Sequence, residues 1–250
     1  MLSIATWNIH KGFSQFNRRM VVHELRERLR ALDADLVFLQ EVQGRHALHA
    51  ANHDNWPQAP QHEFLAEGVW ASHAYGRNMV YAHGHHGNAI LARFPIVHSY
   101  NQDVTRLRFE KRGLLHCTVA VPRMPLPLHC VCVHLSLFGR SRRHQYAALA
   151  AHIETTVPTA APLIIAGDFN DWRNRAHELL AGRMKLTEVF AGCDDRPTRS
   201  FPAALPLFRL DRIYVRGLDV THKAVHHGPP WSALSDHAAL SARFCFASVP

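Results

Sequence analysis

The sequence predicts a mixed α/β fold with many strands, built as one domain over residues 1–250. Three observations carry this. Short apolar runs alternate with helical stretches from one end of the chain to the other. No repeat, low-complexity tract or Pro/Ser-rich linker divides it, and strand signals persist to residue 246. At 47% hydrophobic and 19% charged, the 250 residues can bury a full core, which excludes disordered and collagen-like classes.

Residues 2–9 (LSIATWNI) and 35–40 (DLVFLQ) read as strands. Between them Met20, Val21, Leu25, Leu29 and Leu32 recur at helical spacing, with Arg and Glu on the opposite face. Further strands are expected at 78–82, 88–93, 114–121, 128–135, 162–167, 211–216, 219–226 and 238–246. A second amphipathic helix spans roughly 141–157, with Tyr146, Leu149, Ile153 and Val157 on one stripe, and a short helix covers 174–181.

Composition narrows the partners. Lys and Arg number 28 against 20 Asp and Glu, a formal charge of +8, which favours an acidic substrate: nucleic acid, a phospholipid headgroup or a phosphorylated metabolite. The 21 histidines outnumber the carboxylates, so charge is expected to climb further below about pH 6.5. Five cysteines (Cys117, Cys130, Cys132, Cys193, Cys245) are too few and too scattered for a disulfide-stapled secreted domain. With no signal-peptide pattern and no apolar run long enough for a transmembrane segment, the expectation is a cytoplasmic protein.

Polar residues gather where apolar runs stop. Asn8 follows IATW, Glu41 follows LVFLQ, His134 follows CVCV and Asp168 follows LIIAG. Such groups converge on one edge of a sheet, where binding sites are commonly built. Each has an ordinary reading alone: Glu41 as a solvated strand end, GDFND as an Asx-rich turn, Asp211 as an ion-pair partner of Arg209 or Arg212. Together they are chemically coherent. Asn8, Glu41 and Asp236 are hard oxygen donors suited to Mg²⁺ or Mn²⁺. His134, His237 and Asp168 could supply acid–base or charge-stabilising groups for attack of water on a phosphoester.

TWNIHKG, LQEV, GNAILARFPI, HLSLFGRSRRHQ, GDFNDW, RLDRIYV and SDHAAL, in this order from Ile4 to Leu240, resemble the endonuclease/exonuclease/phosphatase superfamily. The resemblance implies a four-layer α/β sandwich of two packed mixed β-sheets flanked by helices. It assigns Asn8, Glu41 and Asp236 to the metal, and Asp168 to the attacking water. Asn170 contacts the phosphate, His237 donates to the scissile phosphate, and Asp211 orients His237. The VHLS spelling at His134 is similar to the pancreatic-type deoxyribonuclease, sphingomyelinase and phosphoinositide-phosphatase branches, where this histidine contacts phosphate. Its usual acidic partner is missing, since residues 75–80 offer Asn78 and no carboxylate. Arg112 resembles an arginine that reaches the substrate phosphate.

Other readings compete. Cys130, Cys132 and His134 share a strand face, which invites zinc, although small core filling fits better without a fourth ligand. His83, His85 and His86, and likewise His226 and His227, read as solvated turns. Basic loops at 106–112, 139–144 and 172–175 flank the proposed site and match a polyanion. The segment FPAALPLF (201–208) reads as a packed loop rather than a membrane wedge or a base-stacking platform. The expected activity is therefore a Mg²⁺- or Mn²⁺-dependent phosphodiesterase, with DNA or RNA favoured as substrate. A phospholipid-, sphingomyelin- or phosphoinositide-type substrate, or a non-catalytic phosphate-binding module, is the alternative.

Overall fold

Ile4, Leu36, Phe38 and Ile90 alternate in sequence with Ala5, Val37, Leu39 and Leu91, and both sets are buried, on opposite faces of one sheet. A sheet apolar on both faces must be covered twice, and the chain supplies a second sheet on one side and helices on the other. The computed structural model describes residues 1–191 and 198–246; Cys193 lies outside them.

In chain order the elements are β1 (Leu2–Asn8), α1 (Val22–Ala31), β2 (Leu36–His46), α2 (Ala47–Asn52), α3 (Gln61–Ala66), β3 (Ser72–Tyr81), β4 (Gly84–Ala92) and β5 (Ile96–Asp103). They continue with β6 (Gly113–Val119), β7 (Leu128–His134), α4 (Gly139–Thr156), β8 (Leu163–Asp168), β9 (Thr187–Glu188), β10 (Asp211–Arg216), β11 (Leu218–His226) and β12 (Ala239–Phe246). One six-stranded sheet has the order β11-β12-β1-β2-β4-β3 and the other β5-β6-β7-β8-β10-β9. Both are mixed: β1 with β2 and β7 with β8 are parallel, and the other pairs are antiparallel.

Between the sheets Ile4 and Phe38 pack with Cys117, Cys130, Cys132 and Ile164. The two CVCV cysteines are thus core filling, and the zinc reading is gone. Outside the first sheet, Val22, Leu25 and Leu29 of α1 cover Trp7 and Val37. Outside the second, Leu149 and Ile153 of α4 cover Val131 and Ile165. Each fully buried leucine contributes about 1.5–3 kcal/mol by leaving water. The result is helix, sheet, sheet, helix, the four-layer α/β arrangement.

Several boundaries differ from expectation. The strand expected at 35–40 runs on to His46. Strand β5 was not anticipated because IVHSYNQD has no apolar face; it is a largely exposed strand at the edge of its sheet. The helix expected at 174–181 is one α-turn (Arg175–His177) followed by a π-turn (Glu178–Arg183). His85 and His86 sit half-buried on β4, not in a solvated turn.

Candidate active site

Register brings the strand ends together. Parallel pairing of β7 with β8 sets His134 opposite Asp168, and antiparallel pairing of β10 with β8 sets Asp211 opposite the same residue. Asn8 ends β1 on the neighbouring sheet, and the loop before β12 delivers Asp236 and His237. Eight of the nine residues singled out from the sequence line one cleft of about 190 Å³; the ninth, Asp211, stands behind His237.

Glu41 reaches the cleft by a route the sequence did not reveal. It is not at a strand end. Leu39 pairs with Ala89 but Val42 pairs with Gly87, so Gln40 and Glu41 together oppose Asn88. Leu39 and Val42 both face the helices, which leaves Gln40 and Glu41 on the inter-sheet side. Gln40 bonds Thr6 Oγ1 at 3.2 Å inside the core, and Glu41, at φ 56°, turns out into the cleft. A β-bulge that re-aims one side chain is a recurrent device beside active sites.

Gly167 answers the same need on β8. A Cβ there would lie 2.0 Å from the Val133 carbonyl oxygen, and its φ is +143°. Only glycine allows the close strand approach that sets Asp168 beside His134. Asn170, at φ 48°, closes the turn: its backbone N–H donates to Asp168 Oδ1 at 2.9 Å and its amide to Leu135 O at 2.9 Å.

Around Asp168 the contacts are dense. Asn8 Nδ2 donates to Asp168 Oδ2 at 3.2 Å, and His134 Nε2 and His237 Nε2 lie 3.5 and 3.8 Å from that oxygen. His237 Nδ1–H donates to Asp211 Oδ2 at 2.8 Å. The ion-pair account of Asp211 fails, because Arg209 pairs with Glu188 and Arg212 with Asp171. Trp7 Nε1 donates to the His237 carbonyl at 2.8 Å, and Ser235 Oγ to the Asn8 carbonyl at 2.6 Å, tying the loop to the core.

The two histidines differ electrostatically. Burial lowers His237, but Asp211 and Asp168 outweigh it and hold the imidazole at about 10, a cation. Burial, reinforced by Arg112, pushes His134 well below 6.5, so it is neutral. Burial raises Asp168 to about 7 against the opposing pull of His237. Glu41 is held at about 2: burial would raise it, but Lys11 and the nearby histidines prevail.

Sequence reasoning missed the cations on the metal-type carboxylates. Lys11 Nζ lies 3.3 Å from Glu41 Oε2, and His10 Nδ1 lies 3.3 Å from Asp236 Oδ1. Their signal was present in the HK that follows Asn8-Ile9. Glu110 was missed as well. It receives Arg112 Nη2 at 3.1 Å, the Leu137 N–H at 3.0 Å and the Ser136 hydroxyl, so it anchors Arg112 at the cleft wall. Among the described residues one trio of His, Cys, Asp or Glu has ligand atoms within 4.8 Å of each other: Asp168, Asp211 and His237. There the 2.8 Å hydrogen bond to Asp211 occupies His237 Nδ1.

The sequence profile of the Endonuclease/Exonuclease/phosphatase family matches residues 5–237. The Escherichia coli K12 protein described as "Uncharacterized protein YbhP" is 46% identical over 239 residues, covering 96% of this chain and 94% of that one. The crystal structure of an endonuclease/exonuclease/phosphatase from Beutenbergia cavernae superposes with a TM-score of 0.78 at 20% identity, covering all of this chain and 72% of that one. The human Nocturnin catalytic domain with a bound sulfate anion gives 0.73 at 17% identity, covering 98% and 94% of the two chains. The register that gathers Asn8, His134, Asp168 and Asp211, and a profile match that includes all four of those residues, lead to one conclusion: the chain belongs to the endonuclease/exonuclease/phosphatase family.

Proposed function

We propose that this protein is a divalent-metal-dependent phosphodiesterase that hydrolyses its substrate by in-line attack of water. The observation that carries this reading is the pairing of a cationic His237, backed by Asp211, with a neutral His134 across Asp168. Family membership supports it at the level of phosphoric ester hydrolysis.

Residues of this chain take distinct parts. Asp168, fixed by Asn8 and the Asn170 backbone, orients and deprotonates the water. His237 donates from Nε2 to a phosphate oxygen, and Asp211 keeps its other nitrogen protonated and its ring in place. Neutral His134 and the Asn170 amide complete the phosphate pocket, with Arg112 at its wall adding positive charge.

Asn8, Glu41 and Asp236 fit a hard cation: all three line the cleft, and the buried Glu41 Oε2 makes no hydrogen bond and faces only the Lys11 ammonium at 3.3 Å. Mg²⁺ or Mn²⁺ bound there supplies charge neutralisation for the pentacovalent phosphorus. Lys11 and His10 hold the same carboxylates ionised.

Hydrolysis of bis(p-nitrophenyl) phosphate with Mg²⁺ or Mn²⁺, abolished by EDTA and restored by excess metal, is the expected result. A panel of supercoiled DNA, RNA, sphingomyelin and phosphoinositides assigns the substrate. Binding of the phosphoester without turnover of any substrate would establish the non-catalytic alternative instead.

A further inference from the structure

Seven large apolar side chains stand exposed on segments that contribute to the cleft wall or adjoin it, and two of them, Leu137 and Trp172, line it. Phe109 is 67% exposed and meets Phe138 edge to face at 5.8 Å. On the 201–208 segment Leu205 is 69% and Leu207 51% exposed, beside Phe208, whose ring packs on Trp172 at 4.7 Å. The 201–208 segment is therefore only partly the packed loop expected: Ala203 is buried and its N–H donates to Asp236 O at 2.7 Å, but the apolar tip points into solvent.

These loops, the first turns of α4 and the turn at Arg175 carry exposed Arg106, Arg108, Arg140, Arg143, Arg173 and Arg175, none with a carboxylate partner among the described residues. Their own carboxylates, Glu110 and Asp171, are buried against Arg112 and Arg212. Arg142 alone of the basic stretch is turned inward, donating to the Ser136 and Leu137 carbonyls.

We infer that this rim docks on the surface of an anionic phospholipid bilayer, so that a lipid phosphodiester reaches the cleft. Apolar tips ringed by arginines match the headgroup–acyl boundary, where aliphatic side chains bury and guanidinium groups meet phosphate. A patch of this kind on a monomer marks an interaction surface. Nucleic acid would use the arginines and the aromatic faces, but Leu137, Leu205 and Leu207 offer nothing for a base to stack on. No helix of the described residues is long and apolar enough to cross a membrane, so the contact lies on the surface plane. The docking of a lipid substrate rests on the phosphodiesterase reading above; the docking itself does not.

The test is co-sedimentation of the full chain with vesicles of phosphatidylcholine, with and without phosphatidylglycerol. Wild type is expected to sediment with the anionic vesicles and to be released by salt. Phe109→Ser/Phe138→Ser and Leu205→Ser/Leu207→Ser should each cut the bound-to-free ratio by about tenfold or more. Hydrolysis of the soluble diester should be unchanged in both, which also verifies folding; Arg106→Glu/Arg108→Glu is the second route to the same loss. Failure of wild type to sediment with anionic vesicles, or undiminished sedimentation of the variants, overturns the inference. So does loss of single-stranded oligonucleotide binding in the same variants with vesicles ignored, which assigns the rim to nucleic acid. A protein that binds vesicles yet hydrolyses nothing would remove the catalytic reading and leave the docking surface standing.

Discussion

His237 Nδ1 donates to Asp211 Oδ2 at 2.8 Å, joining the first residue of β10 to a loop residue 26 positions later. Asp211 does not line the cleft, so it acts through the histidine. It fixes the ring orientation and the proton, a positioning role with a kinetic signature of its own.

Asp211→Asn keeps the shape of the side chain and removes its charge. Hydrolysis of the soluble diester should lose about 10- to 100-fold in kcat with KM within about twofold. An equal rise in KM with kcat intact would place Asp211 in binding or in simple support of the fold.

Glu41→Gln should lower thermal stability while leaving the fold intact by circular dichroism, because it removes the carboxylate that Lys11 and the nearby histidines hold at about 2. Mn²⁺ affinity measured by calorimetry should fall about tenfold or more, since a carboxylate ligand becomes a neutral amide. An unchanged titration removes Glu41 from the metal shell.

Gly167→Ala places a methyl group 2.0 Å from the Val133 carbonyl at a backbone angle that L-residues avoid. Urea denaturation should show a loss of about 2–4 kcal/mol. A loss below about 0.5 kcal/mol would mean β7 and β8 can separate without consequence.

His116 hydrogen-bonds His152 and His129, each at 2.9 Å, in a buried chain far from the cleft strands' ends. Burial, then its two neighbours, lowers His116 to about 4, and burial lowers both partners. Folded-state values below the unfolded 6.5 mean that the unfolded chain binds more protons as pH falls, so stability is lost from about pH 6.5 down to about 4. After allowance for solvent screening, His116 accounts for about 2 kcal/mol of that loss. Denaturation midpoints across this range should be shallower in pH for His116→Gln than for wild type; identical slopes would contradict the assignment.

Much of this was legible in the chain. The short apolar runs in LSIATWN and LHCVCVH marked strands whose ends carry Asn8 and His134, and those strand ends do converge. What stayed hidden depended on tertiary context. The bulge at Glu41 follows from pairing with β4, and no residue in LQEVQG announces it. Strand β5 is polar because it is an exposed edge. The 21 histidines promised a steep charge increase below about pH 6.5. Burial instead holds His62, His86 and His116 near 4, so these stay neutral over most of that range. The +8 charge left the kind of partner open; the leucines among the arginines, on which the proposed lipid surface rests, come together only once 201–208 and 135–138 stand beside one cleft.

The most direct measurement is metal-dependent hydrolysis of bis(p-nitrophenyl) phosphate by Asp168→Ala and His237→Ala beside wild type, with circular dichroism as the fold control. Each variant should lose about 10²–10⁴-fold in kcat while remaining folded. Activity within threefold (about 0.65 kcal/mol) of wild type in either folded variant would contradict the assignment of water activation to Asp168 and phosphate donation to His237.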